Sequence, residues 1–199
     1  MPRINTKSLY AQKLLKDGKL PNGINWISPQ NQKLRFKVIL YLLPRDLYHY
    51  TLVDAGCGYG DFYTYMKEKN RLPKEYIGID YLEDMYGIAR DQTDDSEIII
   101  ADITEAALPR ADFYISSGAL NITTKYETYL FIKNCYKACT KGFVFNILHG
   151  DKVCNIYNYF SKDEIEKLAE DLGVAEVVYI DDYLEDDLTV AFFKQSNSY

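Results

Sequence analysis

Several features are scarce or missing in this sequence, and each absence narrows the possible functions. The longest apolar run is VILYLL, residues 38–43, which is far shorter than the roughly 20 residues that a membrane-spanning helix needs. The first twenty residues contain no apolar core of the signal-peptide type. We therefore expect a cytoplasmic protein that does not bind a membrane.

Positive charge is also in short supply. The chain carries 23 lysines and arginines against 29 acidic residues, a formal net charge of −6. Long-range attraction to polyphosphate is therefore weak or repulsive, and nucleic acid is not an expected partner. A narrow basic stripe formed by Lys33, Arg35 and Lys37 is the main argument for the opposite view.

Cysteines are few, and none forms a CxxC pair. The four are Cys57, Cys135, Cys139 and Cys154. Disulfides are not expected in a cytoplasmic chain. Cys135 and Cys139 are four residues apart on a predicted helix, with His149 and Cys154 downstream, which leaves a zinc site as one alternative. Buried apolar thiols are the favoured interpretation, so we predict no metal.

What the sequence does contain is an alternation of apolar strands and amphipathic helices. A helix is expected over residues 29–43, with Ser28 as its cap and Pro29 at its first position. Further helices are expected over 59–68, 82–91, 123–138 and 161–172, the last with Ser161 and Glu164 as a capping box. Strands are predicted over 50–55, 75–80, 97–102, 111–117, 142–148, 175–181 and 188–194.

This order predicts a doubly wound α/β fold with a mostly parallel, seven-stranded sheet. Only six residues, DYLEDD, separate the last two strands, which is too short for a parallel crossover, so these strands must form an antiparallel hairpin. We expect one domain over residues 1–199. Residues 50–193 form its core, and residues 1–48 form a helical N-terminal flap in which Tyr10 and Trp26 line a lid or pack on the sheet.

The stretch TLVDAGCGYGDFYTYM places three glycines, Gly56, Gly58 and Gly60, between the first core strand and the following helix. In such sheets, ligands bind beyond the carboxyl ends of the strands. Glycine lets a ligand approach the backbone closely. The pattern is G-x-G-x-G with Asp61 in sixth position, so it departs from the G-x-G-x-x-G of dinucleotide sites, and the G-K-S/T of an ATP-binding loop is absent.

Two acids follow at the ends of the next two strands. Asp80 lies 20 residues after Gly60 and is either an acceptor for both ribose hydroxyls of a nucleoside or the cap of the next helix. Asp102 is placed either to meet an adenine amino group or to form a turn. The three strand ends together are far more specific than any one of them.

At these spacings VDAGCGYG, GID and ADI resemble the class I S-adenosylmethionine-dependent methyltransferases, over residues 50–193. The resemblance implies S-adenosylmethionine as cofactor, with the glycine loop against its methionine part. It also implies that Asp80 holds the ribose, that Asp102 and Ile103 hold the adenine, and that SSGALN borders the reactive methyl. The full set of expected cofactor-binding residues is Arg35, Asp54, Gly56, Gly58, Gly60, Asp80, Tyr81, Asp102, Ile103 and Ser117.

A narrower similarity, carried by INWISPQNQKLRF, SSGALNI, FVFNIL and DDYLEDDLTV, is to bacterial methyltransferase-like proteins of unassigned substrate. No catalytic residue follows from it. His149 is a candidate general base or a loop histidine, and Asn121 either orients a substrate or caps a loop. Arg35 either pairs with a carboxylate of cofactor or substrate, or is a solvated surface arginine.

The sequence therefore predicts a methyltransferase with a small-molecule acceptor. Two alternatives remain open. One is a nucleic-acid or protein methyltransferase. SSGALN counts against amino methylation of bases, because it stands where DNA amino-methylating enzymes have an N-P-P-Y type motif. The other is a non-catalytic protein that binds S-adenosylmethionine or its demethylated product. The sequence does not indicate an oligomeric state.

Overall fold

Strands and helices alternate along the chain and form one sheet with helices on both faces. The computed structural model describes residues 28–154 and 157–195, so Tyr10 and Trp26 of the expected flap lie outside the described residues. The strands are β1 (Thr51–Ala55), β2 (Glu75–Asp80), β3 (Glu97–Ile100), β4 (Ala111–Ser116), β5 (Cys139–His149), β6 (Tyr159–Phe160), β7 (Glu176–Ile180) and β8 (Asp187–Phe193).

The helices of the described part occupy most of the positions expected for them. They are α1 (Pro29–Leu42), α2 (Asp61–Glu68), α3 (Tyr86–Gln92), α4 (Lys125–Ala138) and α5 (Lys162–Leu172). Three short 3₁₀ helices, Leu47–His49, Glu83–Met85 and Ala119–Ile122, connect other elements. None of the helices in residues 28–154 and 157–195 has the length and apolar character that crossing a bilayer requires.

The strand order of the sheet is β3-β2-β1-β4-β5-β8-β7. β1 pairs in parallel with β2 and with β4, so the chain reverses its direction of winding at β1. β8 lies between β5 and β7 and is antiparallel to both, which confirms the predicted closing hairpin. The doubly wound, mostly parallel fold is therefore confirmed, and β1 stands at the switch point where such sheets bind ligands.

The sheet of the described residues has eight strands, one more than predicted. The added strand β6 has two residues, and it pairs in parallel with Leu148 and His149 of β5. β4 pairs with β5 only as far as Phe145. The longer β5 therefore leaves an unpaired edge beyond that residue, which β6 fills. Two residues carry no alternating pattern, so the sequence gives no signal for this strand.

The starts of α1 and α2 each differ from the prediction in one respect. α2 begins at Asp61 and not at residue 59. Gly58 and Gly60 adopt left-handed conformations, which a right-handed helix does not contain, so the helix starts only after Gly60. Ser28 is at the N-cap of α1, but its side chain makes no capping bond and its hydroxyl donates to Gln30 Oε1 at 2.7 Å. Pro29 lies at the first helical position as expected.

Two apolar layers fill the spaces between the sheet and the helices. On one face, α4 and α5 contribute Phe131, Ile132 and Ile165 to a core with the inward side chains of the strands. On the other face, α1 and α2 contribute Phe36, Ile39 and Phe62. α1, which the sequence analysis assigned to a flap, is thus an integral part of a core layer.

Candidate functional site

A cavity of about 390 Å³ opens at the carboxyl ends of the first four strands, beside β1. The loops after β1, β2, β3 and β4 form its floor, and the first two turns of α1 form one side. Its polar lining residues are Ser28, Gln32, Arg35, Asp54, Cys57, Tyr59, Asp61, Asp80, Tyr81, Asp102, Thr104, Ser117, Thr123 and Glu127. Apolar lining includes Phe36, Phe62, Leu82, Met85, Ile103 and Phe131.

The glycine loop has the backbone that the sequence predicts. Gly56 and Gly58 have φ of +79° and +55°, in the left-handed region that favours glycine. A Cβ at Gly56 would lie 2.6 Å from the Cβ of Ala119, so this glycine lets the loop after β4 approach. A Cβ at Gly58 would have only the sulfur of Met85 near it, at 4.0 Å, because Gly58 faces the cavity.

Gly60 has a different role from the one expected. It is the N-cap of α2 with φ of +85°, and it does not line the cavity. A Cβ there would lie 2.7 Å from the Thr93 side chain, at the end of α3. Gly60 therefore allows α2 and α3 to pack closely, and its backbone does not line the cavity.

Asp80, the last residue of β2, lines the cavity and also stabilises the glycine loop. Its Oδ2 accepts the Gly58 N–H at 2.9 Å, and its Oδ1 accepts the Leu82 N–H at 3.0 Å. The second bond closes a short turn after β2, and it does not cap the next helix, which was the alternative that the sequence analysis left open. The backbone of Tyr81 also hydrogen-bonds this carboxylate, whose two oxygens have four lone pairs in total and can accept a further donor. Burial raises the pKa of Asp80, and the hydrogen bonds from Leu82 and Gly58 oppose that rise.

The loop after β3 forms the next part of the wall. Asp102 Oδ1 accepts from the backbone N–H of Thr104 at 2.9 Å and from its hydroxyl at 2.7 Å. Asp102 is thus part of a tight turn and lines the cavity at the same time. Ile103, 5% exposed, adds an apolar surface beside it. Tyr81 also lines the cavity.

Asp54, near the end of β1, is a buried carboxyl at the base of the cavity. It is 2% exposed, and its Oδ2 accepts the Tyr76 hydroxyl hydrogen at 2.8 Å. Burial raises its pKa to about 7, and the nearby Asp80 and Asp61 add to the rise. A cationic ligand in the cavity would favour the ionised form of this group.

Ser117 lines the cavity after β4 and is joined to a buried polar network. Its hydroxyl lies 3.0 Å from Asn146 Oδ1. Asn146 Nδ2 donates to Thr189 Oγ1 at 2.6 Å and to the Tyr183 hydroxyl at 3.2 Å, and those two hydroxyls are 2.8 Å apart.

The orientation of the Asn146 amide follows from counting hydrogens. With Nδ2 toward Thr189 and Tyr183, its two hydrogens and one hydroxyl hydrogen satisfy all three contacts. In the reversed orientation, two hydroxyl hydrogens would have to serve three contacts, so one would fail. Oδ1 therefore faces Ser117, whose hydroxyl donates to it and leaves its lone pairs for a donor in the cavity.

Arg35 is not the solvated surface residue that one interpretation expected. It is 5% exposed, and its Nε and Nη2 donate to the two carboxylate oxygens of Asp187 at 2.8 and 2.7 Å. Its guanidinium lines the cavity, but a protein carboxylate already occupies two of its donors. Its neighbour on the helix face, Gln32, donates to Asp61 Oδ2 at 3.0 Å.

The two catalytic candidates are not brought to the cavity. His149 Nδ1 donates to the Phe160 carbonyl at 3.0 Å, and its ring is not among the lining residues. Asn121 is 1% exposed, and neither atom of its amide has a hydrogen-bond partner among the described residues. Its side chain therefore makes no capping bond there, and it does not line the cavity.

Comparison with known proteins agrees with this architecture. Residues 52–142 match the family model described as a methyltransferase domain. The match covers somewhat less than half of the chain. The matched segment begins in β1 and ends early in β5, so it includes the glycine loop, Asp80, Asp102 and Ser117. No curated protein sequence matches the chain.

Solved structures extend the likeness from this segment to the fold as a whole. One is the magnesium protoporphyrin IX methyltransferase of Synechocystis PCC 6803 with bound S-adenosylhomocysteine, at 15% identity and a TM-score of 0.72, covering 96% of this chain and 95% of that one. The same enzyme with bound S-adenosylmethionine gives 14% identity and 0.70, with coverages of 98% and 100%.

A third similar structure is human N-acetylserotonin methyltransferase in complex with S-adenosylmethionine. It has 13% identity and a TM-score of 0.63, and the match covers 81% of this chain and 52% of that one. These likenesses establish the class I methyltransferase fold, and the predicted family resemblance is confirmed at that level.

The site also contains residues that the sequence analysis missed. Asp187, Asn146, Thr189 and Tyr183 lie under or beside the cavity, but they come from β5, β8 and the loop before β8. Arg35 and Asp187 are 152 positions apart, and no local motif links them. The only available signal was polar residues at inward positions of otherwise apolar strands, which the FVFNIL and LTVAFF patterns do show.

The described residues also bear on the alternative of a zinc site and on the state of the cysteines. No group of three or more His, Cys, Asp or Glu side chains among them is arranged to hold a metal ion. Cys57, Cys135 and Cys139 are buried free thiols, and Cys154 is partly buried. Burial raises the pKa of Cys57 and Cys135, so both remain protonated thiols at neutral pH.

Proposed function

We propose that this protein is an S-adenosylmethionine-dependent methyltransferase that acts on a small molecule. The observation that carries the proposal is the joint geometry of Gly58 and Asp80. The backbone of Gly58 is open to the cavity, and its N–H fixes the Asp80 carboxylate, which lines the same space. An exposed backbone next to a strand-end acid suits a nucleoside that carries a substituent on its ribose.

The remaining wall residues fit the parts of this cofactor. Asp80 would accept the ribose hydroxyls, and the loop from Asp102 to Thr104 would hold the adenine between a polar turn and the side chain of Ile103. Because the Ser117 hydroxyl donates its hydrogen to Asn146, its oxygen would accept a hydrogen bond from a donor at the end of the cofactor opposite the adenine. When bound, the cofactor supplies an activated methyl group on a sulfonium.

The chain's own contribution would then be alignment and exclusion of water. Transfer of a methyl group is an in-line displacement, so fixing the geometry of the reactants lowers the barrier. Phe36, Phe62 and Phe131 provide an apolar surface around the cavity. With His149 bonded to the Phe160 carbonyl and absent from the lining, the proposal assigns no side-chain base.

A thermal-shift titration of the full chain tests the cofactor. S-adenosylmethionine and S-adenosylhomocysteine at about 100 times their dissociation constants should each add about 2.7 kcal/mol, which is a shift of about 5–10 °C for a domain of this size. NAD and ATP should give no comparable shift. Asp80→Ala should abolish the response. If neither adenosyl compound shifts the melting temperature, the cofactor assignment is wrong.

The acceptor class is tested by transfer of label from methyl-labelled cofactor in a cell extract. A small-molecule acceptor places the label in the low-mass fraction, whereas label in RNA or protein would favour the alternative substrates. Transfer to none of them would favour a non-catalytic binding protein. Retention on RNA and DNA across a salt series gives a second measurement, and the net charge of −6 leads us to expect none at physiological salt.

A further inference from the structure

A buried polar network adjoins the cavity at Ser117. Asn146 of β5 and Thr189 of β8 are both 0% exposed, and neither lines the cavity. Asn146 Nδ2 donates to Thr189 Oγ1 at 2.6 Å and to the Tyr183 hydroxyl at 3.2 Å, and the two hydroxyl oxygens are 2.8 Å apart. The three side chains therefore form a closed triangle of contacts beside the cavity.

This triangle fixes which way the Asn146 amide faces. Two Nδ2 hydrogens and one hydroxyl hydrogen make its three contacts, whereas the reversed amide would leave one contact without a hydrogen. Both hydroxyls are needed for this preference, because with only one of them either orientation of the amide makes the same number of contacts. Burial raises the pKa of Tyr183, so its hydroxyl keeps its hydrogen at neutral pH.

The orientation of the amide decides the hydrogen-bonding character of Ser117. Asn146 Oδ1 lies 3.0 Å from the Ser117 hydroxyl and can only accept, so Ser117 donates its one hydrogen inward. Ser117 lines the cavity, and it therefore offers a ligand there only the lone pairs of its oxygen.

Ser117 also lies at a defined end of the cavity. The strand order β3-β2-β1-β4 puts the loop after β4 on one side of β1, and it puts Asp80 and Asp102, at the ends of β2 and β3, on the other side. A cofactor with its ribose at Asp80 and its adenine at Asp102 would extend its methionine part toward Ser117. The hydrogen-bond donor of that part is its ammonium group.

We propose that Asn146, Thr189 and Tyr183 are positioning residues that set the Ser117 hydroxyl as an acceptor for the ammonium group of the cofactor. This inference rests on the proposed function. A hydrogen bond from a charged donor is stronger than one between neutral groups, so a ligand with this ammonium binds more tightly than the same ligand without it. A hydroxyl that is already turned inward also spares the ligand the cost of ordering it.

Isothermal titration calorimetry of the full chain with two probes tests the pairing of Ser117 with the ammonium. The probes are S-adenosylhomocysteine and its desamino analogue, in which hydrogen replaces the amino group and the nucleoside, thioether and carboxylate are unchanged. S-adenosylhomocysteine should bind about tenfold or more tightly than the analogue. Ser117→Ala removes the acceptor and should lower this affinity ratio severalfold.

Variants of the triangle test the positioning role, because they leave Ser117 in place. In Thr189→Val/Tyr183→Phe the amide has no hydroxyl to donate to. It should then turn Nδ2 toward Ser117, because a buried N–H without a partner is tolerated less well than a carbonyl without one. The affinity ratio should fall severalfold. Each single variant leaves both orientations accessible and should lower the ratio about twofold.

Two controls separate the hydroxyls from general packing. Thr189→Ser keeps the hydroxyl and should keep the wild-type ratio. Thr140→Val removes a hydroxyl from an exposed position of β5 that does not line the cavity, and should also leave the ratio unchanged. A loss of stability in any variant cancels in the ratio, because both probes bind the same folded state.

The outcomes separate this inference from the proposed function. An unchanged ratio in the double variant would overturn the positioning role, and so would an equal fall in Thr189→Ser. Equal affinity of wild type for both probes, or an unchanged ratio in Ser117→Ala, would overturn the pairing with the ammonium and leave the cofactor assignment standing. Failure of both probes to bind wild type would contradict the proposed function itself.

Discussion

Arg35 of α1 and Asp187, the first residue of β8, form a buried bidentate ion pair with N···O distances of 2.8 and 2.7 Å. The pair joins the helix that forms one side of the cavity to a strand in the antiparallel part of the sheet. Because both side chains are almost fully buried, each would be left as an uncompensated charge if the other were removed.

Removing one partner of this pair should therefore destabilise the fold strongly. Arg35→Ala or Asp187→Ala is expected to lower the free energy of unfolding by about 3–5 kcal/mol, measured by urea denaturation. The double variant Arg35→Met/Asp187→Leu should recover much of that loss, since no charge remains buried. Lys67→Ala, which breaks the half-exposed pair with Asp94, is the control and should have little effect. A small loss for both single variants would contradict the buried pairing.

The glycine loop gives a matched pair of substitutions. Gly58→Ala should leave the fold intact at a cost of about 1–2 kcal/mol for its left-handed backbone, but should weaken binding of S-adenosylhomocysteine, because its Cβ would face the cavity. Gly87→Ala, in α3 with no atom within 4 Å of the new Cβ, is the control and should bind normally. Unchanged binding by Gly58→Ala in calorimetry would show that the ligand does not approach this backbone.

Asp54 makes stability depend on pH. Its folded-state pKa of about 7 lies above the ordinary value of 3.8, so the folded protein holds a proton that the unfolded chain releases between these values. Stability from this group is present below pH 4 and is lost as the pH rises toward 7. Asp54→Asn should remove this part of the dependence in urea titrations between pH 4.5 and 8. The same pH slope in the variant would mean that other groups cause it.

The network around Asn146 should behave as a unit. Thr189→Val and Tyr183→Phe each remove one hydroxyl that Asn146 Nδ2 donates to, and each is expected to cost about 1–2 kcal/mol, because a buried donor loses a partner. Their effects should not add, since the two hydroxyls also contact each other. A double-mutant cycle by chemical denaturation measures the coupling, and strict additivity would contradict the network.

Local sequence patterns were sufficient for the framework of the fold. Apolar strand patterns, the glycines after β1 and the capping box at Ser161 depend on neighbours within a few positions, so they can be read from the chain directly. The six-residue connection before the last strand determined the antiparallel hairpin for the same reason. The strand-end rule then placed Gly56, Gly58, Asp80 and Asp102 around one cavity, and the family resemblance added Ser117; all five line the cavity in the structure.

Other features depend on residues that are distant in sequence, and only the tertiary structure decided them. The sequence indicates that Gly60 lies in a turn after β1. That it contacts Thr93 and does not line the cavity follows from how α2 and α3 pack. The sequence also indicates that Arg35 is a cation on a helix. Asp187 is its partner because β8 lies between β5 and β7 in the sheet. The chemical type of a side chain is known from the sequence. Its partners, its burial and hence the charge around it depend on contacts between residues that are distant along the chain, and the spacing of residues in the sequence does not indicate these contacts.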